Sequence, residues 1–171
     1  MAGVRTSAAT LIAPLRVGPC RTLFAAQAVS GLGDWAGRLA LAALVYARAD
    51  SAAWAAAVTV VALVPWLGPG QLLATCADRF GRVAVMVTAD LARAALYGLM
   101  LVPQPTWSLL VLAFCAGLCV PPFAGSRSAT LVEVTPRELY PAALALYGVQ
   151  SQTEIMLGYA VGGAVIAAFG P

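Results

Sequence analysis

Five ionisable residues lie inside long apolar stretches of this sequence: Asp34, Arg38, Asp90, Arg93 and Glu154. A charged side chain surrounded by lipid is costly, so each is expected to face a partner or a water-filled path. The helical spacings allow Asp34 to pair with Arg38 and Asp90 to pair with Arg93. Pairs of this kind can be purely structural. If they line a path instead, Asp34 and Arg38 are candidates to contact a proton or a substrate.

Glu154 differs from these pairs, because no cationic residue lies three or four positions away from it. Gln150 precedes it by one helical turn, and the two side chains form a polar stripe on an otherwise apolar segment. A carboxyl without a cationic partner suits a group that gains and loses a proton during transport. The alternative is a neutral, hydrogen-bonded Glu154 that holds two helices together.

The elements that position these residues are predicted to be membrane-spanning helices. The chain has 171 residues, of which 61% are hydrophobic and 10% charged, and its mean hydropathy is +0.87. Soluble domains have about half apolar and about a quarter charged residues. A helix needs about 20 apolar residues to cross the hydrocarbon of a bilayer. We therefore predict an all-α polytopic membrane bundle with about five transmembrane helices, at residues 22–46, 52–77, 83–102, 107–124 and 140–169.

The fourth of these helices contains two adjacent prolines. Pro121 and Pro122 remove two backbone donors, so the helix is expected to end or kink there. Residues 126–139 are then predicted to form a loop.

Several classes of function are not expected from this composition. The net charge of +3 comes from Arg residues at the ends of apolar runs, without a basic face, so no nucleic acid is expected as a partner. The chain has no His, no Lys and no Cys-x-x-Cys pair, so neither a metal site, a cofactor nor an intramembrane enzyme is predicted. The four cysteines are Cys20, Cys76, Cys115 and Cys119.

The distribution of Arg predicts the orientation in the membrane. One side carries Arg5, Arg16, Arg21, Arg79, Arg82, Arg127 and Arg137, and the other carries Arg48. By the positive-inside rule the amino terminus is cytoplasmic, with residues 1–21 as a cytoplasmic tail and 22–171 as the membrane bundle. The exclusive use of Arg as the basic residue indicates a GC-rich bacterial genome, and hence a bacterial plasma (inner) membrane.

Residues 74–82, Ala-Thr-Cys-Ala-Asp-Arg-Phe-Gly-Arg, form a charged turn between the second and third predicted helices. The segment resembles the signature of the major facilitator superfamily at this place, Gly-x-Leu-Ala-Asp-Arg-x-Gly-Arg, with Ala and Cys at the Gly and Leu positions. The resemblance implies a gating role for Asp78, Arg79, Gly81 and Arg82, as a latch that closes the cytoplasmic gate.

Physical chemistry gives these gate residues separate tasks. Gly81 would permit a tight turn, and the two Arg side chains would anchor the turn at the anionic leaflet. Asp78 would cap a helix or pair with Arg across the cytoplasmic mouth. The alternative is a plain charged hairpin turn without a gating role.

Two further segments resemble one branch of this superfamily, which holds enterobactin exporters and macrolide efflux pumps. Residues 127–139 look like the loop after the fourth helix of that branch, with Val132 where Pro is usual. Residues 30–35, Ser-Gly-Leu-Gly-Asp-Trp, resemble its first helix. The resemblance implies efflux of a drug or a siderophore.

The fifth predicted helix carries a glycine pattern. Residues 158–163, Gly-Tyr-Ala-Val-Gly-Gly, resemble the tail of the antiporter motif of the superfamily, Gly-Pro-x-x-Gly-Gly, with Tyr159 in place of Pro and Glu154 at an earlier Gly position. Independently of that resemblance, the spacing of Gly158 and Gly162, next to Gly163, predicts a close helix contact.

The predicted function is therefore membrane transport of the major facilitator type, as proton-coupled efflux of a drug-like molecule or siderophore. Its expected partners are the lipid bilayer, a small-molecule substrate, protons, and a missing or separate carboxy-terminal bundle, because facilitators have two bundles around one path. The lone chain is expected to be incomplete. The alternative is a non-transporting membrane subunit or a truncated remnant of such a transporter.

Overall fold

The computed structural model describes residues 8–170, and the regular elements of that range are all helices. They are α1 (Ala8–Ile12), α2 (Gly18–Ala49), α3 (Ala52–Leu63), α4 (Pro69–Ala77), α5 (Arg82–Met100), α6 (Thr106–Leu118), α7 (Val120–Val134) and α8 (Tyr140–Phe169). Short 3-10 turns occupy Ala13–Arg16, Val64–Leu67 and Arg137–Leu139.

Four helical stretches are long and apolar enough to cross a membrane. They are Gly18–Ala49, Arg82–Met100, Thr106–Val134 and Arg137–Phe169. A fifth span is formed if the bent pair Ala52–Leu67 and Pro69–Thr75 is counted as one. The predicted all-α polytopic bundle is thus confirmed.

The second span is broken by its prolines. Pro65 opens the 3-10 turn and Pro69 opens α4, and the two helical parts meet at an angle of 44°. A proline cannot donate to the helical hydrogen-bond ladder, so two prolines four residues apart interrupt it. The bend brings α4 close to α7, where a Cβ on Gly70 would lie 2.6 Å from the Pro121 ring.

The prediction for the end of the fourth span is wrong. The helix does break, but at Cys119, ahead of the prolines, and α7 then continues to Val134 through most of the predicted 126–139 loop. Pro121 and Pro122 lie in the first turn of α7, where a missing N–H leaves no hydrogen bond unmade. The polar residues that suggested a loop are in part buried, since Arg127 and Thr130 are less than a tenth exposed.

The first long helix begins at Gly18, so the residues just before the predicted start at 22 are also helical. Its neighbour along most of its length is α8. Two clusters of buried apolar residues hold opposite ends of the bundle together. The first contains Leu41, Val45, Val58, Met100, Leu109 and Ala113, and the second contains Cys20, Phe24, Leu131 and Ala143.

Candidate functional site

A buried guanidinium links α2 to α5. Arg93 is 4% exposed and forms ion pairs with Asp34 on α2 and with Asp90 on its own helix. Ser30 joins the cluster, accepting a hydrogen bond from Arg93 at 3.1 Å and donating one to Asp90 at 2.8 Å. The Arg93 guanidinium also lies 4.8 Å from the centre of the Phe123 ring on α7. One cation therefore ties three helices together.

Asp34 and Arg38 do not form the pair that their spacing suggested. The carboxylate of Asp34 is bound to Arg93, and Arg38 places its guanidinium 4.7 Å from the centre of the Trp35 ring. Within residues 8–170 Arg38 takes part in no ion pair. Asp90 and Arg93, in contrast, do form the predicted ion pair.

Glu154 is 4% exposed and is held by two amides. Gln150 donates a hydrogen bond to it at 2.6 Å, and Gln27 on α2 donates another at 3.3 Å. Gln150 also donates to the carbonyl oxygen of Phe24 at 3.0 Å. In the part of the chain that the structure describes, no cation forms an ion pair with Glu154. The carboxyl lies directly against Gly31, which leaves no room there for a Cβ.

A cavity of about 500 Å³ lies between α2, α3, α5 and α6, with Tyr159 of α8 at its wall. Its polar and aromatic lining consists of Asp34, Trp35, Arg38, Thr59, Arg93, Tyr97 and Tyr159. Trp35 and Tyr159 meet edge to face, with ring centres 5.6 Å apart. The volume of the cavity is within the range of about 300–1,000 Å³ that holds drug-sized molecules.

The turn at residues 78–82 places its charges at the surface. Asp78 and Arg79 are exposed and form no ion pair with any residue of the described range. Arg82 forms an ion pair of 2.7 Å with Glu133 near the end of α7. Because both side chains are at least half exposed, this pair adds at most about 1 kcal/mol to stability.

Gly81 does not play the conformational role predicted for it. Its φ of −61° is available to any residue, and a Cβ built on it would meet nothing within 4 Å. Asp78 caps no helix either, because Gly81 is the residue at the amino-terminal end of α5 and no side-chain cap is formed there.

The glycines of α8 lie against α2. A Cβ on Gly158 would approach the Cβ of Trp35 to 2.5 Å, and one on Gly162 would approach the Cα of Ala36 to 3.1 Å. Gly163 lies beside this contact, since a Cβ there would remain 4.0 Å from Leu39. The small side chains let the two helix backbones approach closely.

Four polar residues that support these sites are not among the predicted site residues. Three of them bind a candidate residue from another helix, namely Gln27, Ser30 and Glu133. The fourth, Arg127, is 6% exposed and stacks 3.5 Å from the Tyr147 ring centre. Ser30, Glu133 and Arg127 do lie in segments that resemble the superfamily branch, but the sequence of a segment does not show which residues of another helix its side chains meet.

Comparison with known proteins places this bundle in a family. Residues 23–171 match the sequence profile of the Major Facilitator Superfamily. Over 149 residues, 86% of this chain, the sequence is 26% identical to the uncharacterized MFS-type transporter YfiS of Bacillus subtilis (strain 168), and it spans 36% of the length of that curated relative. No solved structure matches significantly. Because the profile covers the helices that carry the charged cluster, the cavity and the 78–82 turn, the chain belongs to the Major Facilitator Superfamily.

Proposed function

We propose that this chain supplies the amino-terminal bundle of a proton-coupled efflux transporter for a drug-like molecule or a siderophore. The observation that carries the proposal is the cavity of about 500 Å³, enclosed by apolar helices and lined by Asp34, Arg38 and Arg93. Ionisable side chains at membrane depth are costly and mark transport pathways. Membership of a transporter superfamily supports the same function.

The substrate class and the export direction are supported by local sequence. Residues 30–35 and 127–139 resemble the branch that holds enterobactin exporters and macrolide efflux pumps, and both segments contain residues that are packed inside this fold. Ser30 and Asp34 belong to the charged cluster, and Arg127 is buried against Tyr147.

Glu154 is proposed as the proton carrier. It is buried and held only by the amides of Gln27 and Gln150 within the described residues. A neutral amide can accept from a protonated carboxyl or donate to an ionised one, so both protonation states can be accommodated. In the cluster around Arg93 both carboxylates already have a cationic partner, so they are less suited to this exchange.

The 78–82 turn is proposed as the cytoplasmic gate, with Asp78 free to find a partner in another state of the transport cycle. Arg82 already joins this turn to α7 through Glu133. The same end of the bundle holds the starts of α2 and α8, packed around Cys20 and Ala143. We place this end on the cytoplasmic side of a bacterial plasma (inner) membrane.

A two-bundle version of the protein tests these roles. In inverted membrane vesicles an imposed pH gradient should drive accumulation of a fluorescent drug-like dye. Asp78→Asn should insert normally yet lose most of this transport, and Glu154→Gln should lose its dependence on the pH gradient. Matched controls are the exposed residues Asp50→Asn and Glu138→Gln, which should transport as the unmodified protein does. Unchanged transport in both test variants would show the two assignments to be wrong.

A further inference from the structure

We propose that the cavity binds an amphipathic organic anion, an aromatic molecule with a carboxylate or sulfonate group, and that Arg38 anchors the anionic group. The proposal rests on the transport function above and names the substrate class of the same cavity.

The acidic group of the cavity is already engaged. Asp34 is the one carboxylate in the described lining, and it is ion-paired with Arg93. Arg93 is in turn paired with Asp90 and is 4% exposed. A cationic ligand bound at Asp34 would compete with Arg93 for this carboxylate and weaken a buried ion pair. That is unfavourable, because removing one member of a buried pair is strongly destabilising.

Arg38 is the charged lining residue that remains available. Within residues 8–170 it forms no ion pair, and its side chain is partly exposed at the cavity wall. Its guanidinium stacks on Trp35 at 4.7 Å and interacts with the Tyr97 hydroxyl, and the remaining N–H groups on the rim of the guanidinium plane can meet a ligand. This rim matches the two oxygens of a carboxylate or sulfonate.

The aromatic rings also favour an anion over a cation. The face of Trp35 that could attract a cationic ligand is occupied by Arg38. Trp35, Tyr97 and Tyr159 give the cavity an aromatic lining around the guanidinium. The volume of about 500 Å³ suits a molecule with an aromatic body much larger than an inorganic anion.

Two probe ions with the same aromatic body and opposite charge test the proposal. The anion is 2-naphthalenesulfonate and the cation is 2-naphthyltrimethylammonium. Binding to the purified chain in nonionic detergent is measured by equilibrium dialysis against protein-free micelles. We expect Arg38→Gln to weaken 2-naphthalenesulfonate binding at least about tenfold and to leave 2-naphthyltrimethylammonium binding unchanged. Arg48→Gln is the matched control, since Arg48 lies on the same helix outside the cavity.

Two more variants keep the test decisive if Arg38→Gln does not fold, as judged by thermal unfolding. Arg38→Lys keeps the charge without the planar fork and should retain part of the affinity. Ala42→Leu fills cavity volume while Arg38 remains, and should also weaken 2-naphthalenesulfonate binding. Equal 2-naphthalenesulfonate binding in all variants, or tighter binding of 2-naphthyltrimethylammonium by the unmodified chain, would overturn the proposal.

The outcome is separable from that of the transport proposal. Binding of 2-naphthalenesulfonate that depends on Arg38, together with no transport by a two-bundle version, would refute transport and keep the anion site. Transport of 2-naphthyltrimethylammonium without Arg38-dependent binding of 2-naphthalenesulfonate would refute the anion preference and keep the transporter.

Discussion

At the scale of single residues, Arg93 is the most heavily connected charge in the described chain. It pairs with two carboxylates, contacts Ser30 and lies over Phe123. The two acids face two cations, because Arg38 also lies within electrostatic reach of Asp34. The buried charges around Arg93 are therefore interdependent, so the removal of one is expected to change the interactions of the others.

The first prediction concerns the stability that Arg93 provides. Arg93→Gln should lower the free energy of unfolding of the chain in detergent by about 3–5 kcal/mol, because Asp34 is left buried without its cation. The double variant Asp34→Asn/Arg93→Gln should lose less than the sum of the two single variants. Arg48→Gln, at an exposed position, is the control. Additive losses in this double-mutant cycle would show that the ion pair is not formed.

Residue spacing predicted one of the two helical pairs. Asp90 and Arg93 meet as their spacing of three allows, whereas Asp34 pairs with a residue of another helix. Sequence spacing reports only which residues share a helix face. It carries no information on which face of a second helix lies opposite, and this second helix determined the partner of Asp34.

At the scale of helices, the existence of the spans followed from hydrophobicity, but their breaks depended on where each proline falls in a turn. Pro65 and Pro69 interrupt the second span, while Pro121 and Pro122 open a new helix. Length and hydropathy predict that a span exists, because a helix needs about 20 apolar residues to cross a membrane. The position of a break also depends on the residue at which the preceding helix ends, which length and hydropathy do not give.

The second prediction tests the contact between α2 and α8. Gly158→Ala should destabilise the chain by about 1–3 kcal/mol, because its new Cβ would lie 2.5 Å from that of Trp35. Gly163→Ala, where a Cβ would have ordinary contact distances, should be neutral or stabilising, since Ala favours helix over Gly. Thermal unfolding in detergent measures both, and equal effects of the two substitutions would contradict this packing.

The third prediction concerns the turns between the spans. In a variant without native cysteines, a cysteine at position 79 should be protected from an impermeant thiol reagent in intact cells, and one at position 104 should react. The reason is that the 78–82 turn and the 101–105 segment lie at opposite ends of α5, with Arg concentrated near the former. Permeabilised cells, in which both cysteines should react, provide the control, and the reverse pattern in intact cells would overturn the orientation.

At the scale of the whole molecule, the proposed function makes the described chain one wall of a transport path. Facilitator substrates bind between two bundles that rock around a shared site, and this chain spans 36% of the curated relative. The glycine face for which the sequence predicted a close helix contact is not free to bind another copy of the chain. Gly158 and Gly162 are buried against Trp35 and Ala36 of the same chain.

The last prediction is that the purified chain alone, in proteoliposomes with an imposed pH gradient, moves no lipophilic dye against its concentration gradient. Alternating access needs a second bundle to close the far side of the cavity, and the surface most suited to recruiting another copy is already occupied by α2. A two-bundle version in the same liposomes is the positive control, and its pH-driven flux should disappear when the gradient is collapsed by an ionophore. Sustained flux by the lone chain that also disappears with the ionophore would show that this bundle is a self-sufficient transporter.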